Sequence, residues 1–375
     1  MSLKKILLIV AFVIITALLV LAFYYVFIKK SLPSLPSLSP TITSTPGQFP
    51  GSGARPVTTT QTSQDTDGLT LPTSDIATGV VPSYYQAIPV KKLNSDHAEH
   101  ESINSNGNLR YYSSTDGKFY KIDENGQQSV ISDKIFYGVT NATWAKNKDK
   151  VVLEYPDKSK TVYNFENNTQ ITLPKHWEDF SFSPDSNDIA AKSMALAPEN
   201  RWLLTTKDDG TNIKAIEPMG NNANKVIIDW SPSQQVVAFS KTGRTLGSDR
   251  EEILLVGLNG ENFKSLIVEG NGFESQWSPT GKKIIYSVYN ARSDYKPELW
   301  ISDSYGDSIG SNRQTLKVQT WSDKCTFVDD DTLYCAVPKN LQTGVGLSRA
   351  AAQFNYDDLY KIDLTTGLKT AVALD

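Results

Sequence analysis

Trp277-Ser278-Pro279-Thr280-Gly281 leads into the run Ile284-Ile285-Tyr286, and Trp230-Ser231-Pro232 leads into Val236-Val237-Ala238-Phe239. An aromatic residue ends a hydrophobic stretch, a tight turn follows, and a strand-forming run follows the turn. Proline at the second position of a turn pre-sets φ, and Asp, Asn or Gly after it accept the remaining geometry. Weaker copies begin at Trp144, at Phe182-Ser183-Pro184-Asp185 and at Phe327. The five aromatic anchors stand 38, 48, 47 and 50 residues apart. A period of that length built from short strands predicts a β-propeller or a related array.

A second hairpin follows each unit. Ile253-Leu254-Leu255-Val256 runs into Asn259-Gly260, and residues 263–267 return. Asn125-Gly126, Asp209-Gly210 and Thr366-Gly367 hold the same place, with Asn167-Asn168 as a weaker version. Asn-Gly is favoured in the two-residue hairpin turn, where both positions take φ > 0, and that turn is expected here. The repeat therefore reads as four strands, A to D, which is one blade. Six pairs of strands B and C can be read: 109–112 with 119–122, 151–155 with 162–165, 189–191 with 202–205, 236–240 with 253–256, 284–288 with 299–302, and 333–337 with 359–362. Residues 91–375 shared among six blades give about 47 each, as the anchors do, whereas seven blades would give about 41. Helical periodicity is almost absent after residue 90, which argues against a parallel α/β fold. The predicted class is all-β, a six-bladed β-propeller of four-stranded blades over 91–375.

The W-S-P-x-G turn followed by a β-branched strand resembles the WD40-like repeat of TolB-type six-bladed propellers. The resemblance covers roughly residues 100–375 and is strongest at 230–239 and 277–286. It implies an exported interaction platform. Some members of that family carry an attached peptidase domain, and no second globular domain is read in this sequence.

The N-terminus reads differently. Residues 1–5 carry two lysines and form the predicted cytoplasmic end; residues 6–28 hold no charge, and Lys29-Lys30 follow. As a helix, 6–28 would span about 35 Å, enough for a hydrocarbon core of roughly 30 Å. A cleaved signal peptide has a shorter apolar region and a small-x-small site, so this segment reads as an uncleaved transmembrane anchor. Lysines flank both ends, so positive-inside counting is nearly balanced. Residues 29–90 are expected to form a disordered stalk. Its 31–82 portion is rich in Ser, Thr and Pro, with Arg55 as the only basic residue. Such a stalk spans about 40 Å as a coil and nearer 150 Å if stiffened by proline. With the N-terminus inside, the propeller is extracytoplasmic, in the periplasm or at the cell surface.

The chain has two cysteines, Cys325 and Cys335, flanking the A–B turn of the last blade. A turn centred on Asp330 sets Phe327 opposite Leu333 and the two cysteines opposite each other, close enough for a disulfide. Two buried thiols are the competing reading; the predicted anchor favours the disulfide. The net charge is −4, and the four lysines of the first 30 residues leave −8 for the remainder. No basic stripe interleaved with aromatics is present, which disfavours nucleic acid, and an acidic domain is unsuited to anionic lipid.

Catalytic motifs fail on context. Gly306-Asp307-Ser308-Ile309-Gly310 matches G-x-S-x-G, but no helix follows, and His97, His100 and His176 all lie upstream, so it reads as an enlarged C–D loop. Asp96-His97-Ala98-Glu99-His100-Glu101 is the densest set of ligand types, yet without H-E-x-x-H or a cysteine it reads as a polar junction. Asp329-Asp330-Asp331 reads as a solvated turn. No P-loop or dinucleotide fingerprint occurs. No cofactor, metal ligand or catalytic residue is therefore assigned.

The expected function is a protein- or glycan-binding scaffold of the cell envelope, with an envelope protein or cell-surface polymer as partner. The alternative is a hydrolase or lyase with its site in the central channel. A–B and C–D turns are tight, whereas B–C connections near 193–201, 241–252, 289–298 and 338–358 are long. They carry residue types enriched at interfaces, namely Arg244, Arg250, Arg292, Tyr295, Arg349, Phe354 and Tyr356.

Overall fold

Six antiparallel sheets of four strands follow one another along the chain, and within each sheet neighbouring strands are consecutive in sequence. A computed structural model describes residues 92–94 and 97–373. The predicted segments 1–5, 6–28 and 29–90 lie outside the described residues. No helix among the described residues is long and apolar enough to cross a membrane. The blades occupy residues 98–130, 141–173, 177–218, 226–268, 271–315 and 325–373. All six predicted B/C pairs form, in registers such as Tyr112↔Phe119, Val152↔Val162 and Leu333↔Ile362. Strand A is innermost: Ala98–Ile103, Asn141–Trp144, Trp177–Phe182 and Val226–Ile228 adjoin one another in turn. Among the described residues no strand is exchanged between the first blade and the last.

A propeller strand is buried on both faces, because each blade is packed between two others. That is why strand B of blade 5 reads Ile284-Ile285-Tyr286 without polar alternation. Ile284 and Tyr286 join the cluster shared with blade 4, and Ile285 joins the one shared with blade 6. Each anchor fills the gap to the preceding blade. Trp144 lies 5.3 Å from Phe119 and 5.7 Å from Phe165 by ring centroids, and Trp277 stacks on Phe239 at 5.1 Å. Phe182 and Trp230 do the same between blades 2 and 3 and blades 3 and 4. Phe327 packs against the cluster of blades 5 and 6. Cations in strand B cross several of these gaps. Fully buried Arg110 lies 4.5 Å from the Trp144 ring centre and donates to the carbonyls of Ala145 at 2.8 Å and Lys148 at 2.9 Å. Lys150 pairs with Asp208 of blade 3, while Lys192 pairs with Asp179 and donates to the Val226 carbonyl of blade 4 at 3.1 Å.

The A–B turns of blades 3, 4 and 5 are as the sequence predicts, capped by Ser183, Ser231 and Ser278, whereas Asn104 caps that of blade 1 and Asp329 that of blade 6. Ser278 N donates to the Lys283 carbonyl, Gly281 N to the Ser278 carbonyl, and Lys283 N to Ser278 Oγ. The fourth turn position is left-handed at Gly281 (φ 70°), Gln234 (62°) and Ser186 (61°).

The C–D turns differ from expectation. Only the second position takes positive φ, 75° at Gly260, with Asn259 in ordinary space. Gly257 N donates to the Glu261 carbonyl and Gly260 N to the Gly257 carbonyl, so the loop holds three residues instead of two. A type I turn plus one left-handed residue is the closure that length takes. Strand D of blade 4 is correspondingly later than predicted, Leu266–Val268.

Cys325 and Cys335 stand opposite each other with Cα atoms 4.0 Å apart and form a disulfide, beside the Phe327↔Leu333 pair. Asp329-Asp330-Asp331 is more than a solvated turn. Asp330 accepts from Thr280 N at 3.2 Å and from its hydroxyl, and Asp331 meets Lys283 Nζ at 2.7 Å. The triplet pins the A–B turn of blade 6 to that of blade 5, a contact invisible in sequence because the partners lie about fifty residues upstream.

Candidate functional site

Strand A runs toward the face of A–B and C–D turns, so the B–C and D–A connections share the opposite face. The longest B–C connection, 339–356, includes the 3-10 turn Arg349–Ala352 and is held against its counterpart in blade 5. Gly344 N donates to the Asp294 carbonyl at 2.8 Å and Gly346 N to the Tyr295 carbonyl at 2.7 Å. A Cβ on Gly346 would stand 2.6 Å from the Tyr295 oxygen, so the approach requires glycine. Asp294 and Tyr295 are both left-handed, each with φ 53°, and Asn290 caps the preceding turn through its side chain. Two successive non-glycine residues in that region persist only where the surroundings over-determine them.

This frame presents apolar side chains to solvent. Phe354 is 88% exposed, Tyr356 72%, Leu347 64% and Tyr295 40%. Leu196, in the B–C connection of blade 3, is 96% exposed.

Arg349 turns inward from the same loop to the mouth of the channel. One of its terminal nitrogens meets Asp323 Oδ2 at 2.6 Å and the other Glu274 Oε2 at 3.5 Å. Its guanidinium lies 5.0 Å from the Trp321 ring centre. Glu274 belongs to strand A of blade 5 (Asn271–Trp277), and Asp323 to the 3-10 turn Ser322–Lys324 leading into strand A of blade 6. The Glu274 carboxyl is raised above its ordinary value, first by desolvation and next by Asp323, against Arg349 and Lys241. Burial lowers the Lys241 ammonium, opposed by Glu251 and Glu274.

The other sequence-predicted residues divide between two places. Arg250 and Arg292 both reach Glu269, at 3.2 and 3.7 Å, where Arg313 also pairs at 2.9 Å. Arg244 stays within blade 4, its Nε 3.1 Å from Glu252, whose carboxyl falls to about 2 chiefly through the Arg244 hydrogen bonds.

Deeper along the axis, Asp229 follows strand A of blade 4, and its carboxyl is pushed up to about 7. Burial is the dominant cause; Lys146 and the Trp277 indole oppose it. The Trp277 N–H faces that side without reaching hydrogen-bond geometry.

Sequence reasoning singled out neither Glu274, Asp323, Glu269, Arg313 nor Asp229. Their only sequence signal is position, just before, within or after strand A or strand D. Gly306–Ser308 forms a 3-10 turn inside the C–D connection of blade 5, with Ser308 Oγ donating to the Tyr305 carbonyl. Residues 98–101 are part of the inner strand of blade 1 rather than a junction before it; His97 Nε2 lies 3.4 Å from Glu99. Among the described residues no group of three or more His, Cys, Asp or Glu side chains is gathered for a metal ion.

No family model matches the sequence, and no curated protein matches it. Among solved structures it is similar to the tricorn protease, at 10% identity and TM-score 0.45, over 76% of this chain and 32% of that one. This chain thus spans about a third of the tricorn protease's length. The β-propeller domain of the Trilobed protease from Pyrococcus furiosus aligns at 12% identity and TM-score 0.43, over 63% of this chain and 71% of that one. An oligogalacturonate lyase from Vibrio parahaemolyticus aligns at 12% identity and TM-score 0.47, over 74% and 78%. The six-bladed architecture rests on the strand pairing itself, and no residue's role follows from these likenesses.

Proposed function

We infer that this propeller is a binding platform whose B–C face near blades 4 to 6 receives a partner. The observation that carries the reading is the interlocked pair of B–C connections, which holds exposed Phe354, Tyr356 and Leu347 on a fixed frame. Exposed aromatics on a rigid support bind with little ordering cost, and aromatic residues and arginine are the side chains that dominate interface energies. The anchor read from residues 6–28 makes the platform extracytoplasmic, and an envelope protein or cell-surface polymer is the partner class. The test is capture from the native envelope by the intact protein and by the F354S/Y356S double variant. Both positions are exposed, so the unfolding temperature should stay within about 2 °C. Loss of the captured species supports the platform; undiminished capture refutes it.

A second reading rests on one pair. Glu274 and Asp323 converge on a single guanidinium at the channel mouth, and the Glu274 carboxyl is raised. A carboxyl raised by burial beside a second carboxylate is equipment that a hydrolase or lyase could use. Turnover of an envelope glycan that vanishes in Glu274→Gln with unaltered folding would favour it over the platform.

A further inference from the structure

Glu269 draws more positive charge than it neutralises. It stands between blades 4 and 5, just past strand D of blade 4 (Leu266–Val268). Arg313 alone satisfies it, with one terminal nitrogen on Glu269 Oε1 at 2.9 Å and the other on the Ile267 carbonyl at 2.6 Å. Arg250 and Arg292 then both address the remaining oxygen, Oε2, at 3.2 and 3.7 Å. Among the described residues no other carboxylate lies within ion-pair distance of either. Glu298, close to the same cluster, is taken up by the Trp300 indole and the Thr315 hydroxyl.

The two surplus arginines come from different blades and meet on one oxygen. Arg250 ends the B–C connection of blade 4, and Arg292 lies in that of blade 5. Their side chains are 47% and 53% exposed, and one nitrogen of each is engaged, so the other N–H groups face solvent. Asn290, which caps the turn carrying Arg292, also donates to the Glu269 carbonyl, so the pair is held in place. Behind it, fully buried Tyr286 carries a hydroxyl with no hydrogen-bond partner, on which Arg313, Glu269 and Glu298 act electrostatically. A cluster serving only to join two blades would leave neither surplus charge nor an unpaired buried hydroxyl beside it.

We propose that Arg250 and Arg292 form an oxyanion-binding site on the B–C face, which takes the carboxylate or phosphate groups of an acidic cell-surface polysaccharide. Glu269 displays the chemistry from the inner side, since its one carboxylate already bridges three guanidiniums. Planar N–H forks bind such groups in bidentate fashion. The chain beyond residue 30 carries a net charge of −8, so attraction of a polyanion here is local to the pair. The neighbouring side chains select a sugar polymer. Tyr295 follows Arg292 in the same connection, and of the four exposed apolar side chains on that frame Tyr295, Phe354 and Tyr356 are aromatic. Ring faces carry partial negative charge that attracts the C–H groups of a pyranose. The site rests on the platform reading for its setting and names the chemistry of the partner.

Calorimetric titration of the full-length protein with carboxymethyl-dextran, phosphorylated dextran and plain dextran tests this. A charged dextran should bind and the plain one should not, and the tighter of the two charged forms identifies the oxyanion. Arg250→Gln and Arg292→Gln should each weaken binding roughly tenfold or more. Exposed Lys282 lies in the A–B turn of blade 5, on the opposite face, so Lys282→Gln makes the same charge change beyond screening distance and should alter binding by less than about twofold. Both arginines are half exposed, and an unchanged unfolding temperature verifies that the variants fold. Absence of binding, equal weakening by all three variants, or tighter binding of poly-L-glutamate than of either charged dextran would each overturn the proposal. The probes are pure polymers, so this failure is distinct from undiminished envelope capture by the F354S/Y356S variant, which refutes the platform itself.

Discussion

Replacing Asp229 by Asn should stabilise the propeller by an amount that grows with pH. The carboxyl is raised from 3.8 to about 7 because burial beside the channel penalises its charged form. Below about pH 4 both folded and unfolded chains hold the proton, and the residue adds no pH dependence. As pH rises from 4 to 7 the unfolded chain ionises while the folded one keeps its proton. Stability therefore falls, by up to about 1.4 kcal/mol per pH unit. The loss is complete above the folded pKa and amounts to roughly 4 kcal/mol, an upper figure because Lys146 and nearby water compensate the charge once formed. Asparagine has the same shape and no charge to bury, so the variant should be spared this loss. The gap in unfolding free energy should be near zero at pH 4 and reach about 2–4 kcal/mol at pH 8. In a domain of this size that is roughly 5–10 °C in Tm. Calorimetry of both proteins at pH 4.5, 6 and 8 measures it. A gap that is the same at pH 4.5 and pH 8 would refute the assignment of a partly buried, proton-holding carboxyl at this position.

Four further outcomes are expected. Reducing the Cys325–Cys335 bridge, or replacing both cysteines by serine, should cost about 2–3 kcal/mol, the loop-closure value for a separation of ten residues, read from denaturant unfolding with and without reductant. Gln234→Gly should stabilise by about 0.5–1 kcal/mol by relieving a left-handed residue at an exposed turn. Gly281→Ala should destabilise by about 2 kcal/mol or more, since its Cβ would stand 2.7 Å from Ser233 N and 2.9 Å from Ser231 Oγ; equal effects at the two sites would contradict the turn geometry. Arg349→Leu should move the Glu274 carboxyl further upward, because the guanidinium opposes desolvation and Asp323 there; carboxyl-carbon NMR titration reads the direction, and a downward move would show that the ion pair is not formed in solution.

The sequence alone determined the number of blades, the pairing of strands B and C, the cysteine pairing and the length of the B–C connections. These are local properties. A strand buried on both faces is written as a continuous apolar run, a turn needs its Ser-Pro or Asn-Gly, and both signals fall within a dozen residues. Tertiary structure decided what those runs are buried against and which charges meet. Arg349 reaches Glu274 and Asp323 from a different blade or a distant loop, Asp330 reaches Thr280 across fifty residues, and Asp229 owes its proton affinity to the channel around it. Hydrophobic period reports that a face is hidden and not what hides it. Contacts between side chains on neighbouring blades therefore leave no pattern in either stretch of chain. The same limit explains the C–D turns, where Asn-Gly marked the place correctly but the third loop residue came from the register of the flanking strands.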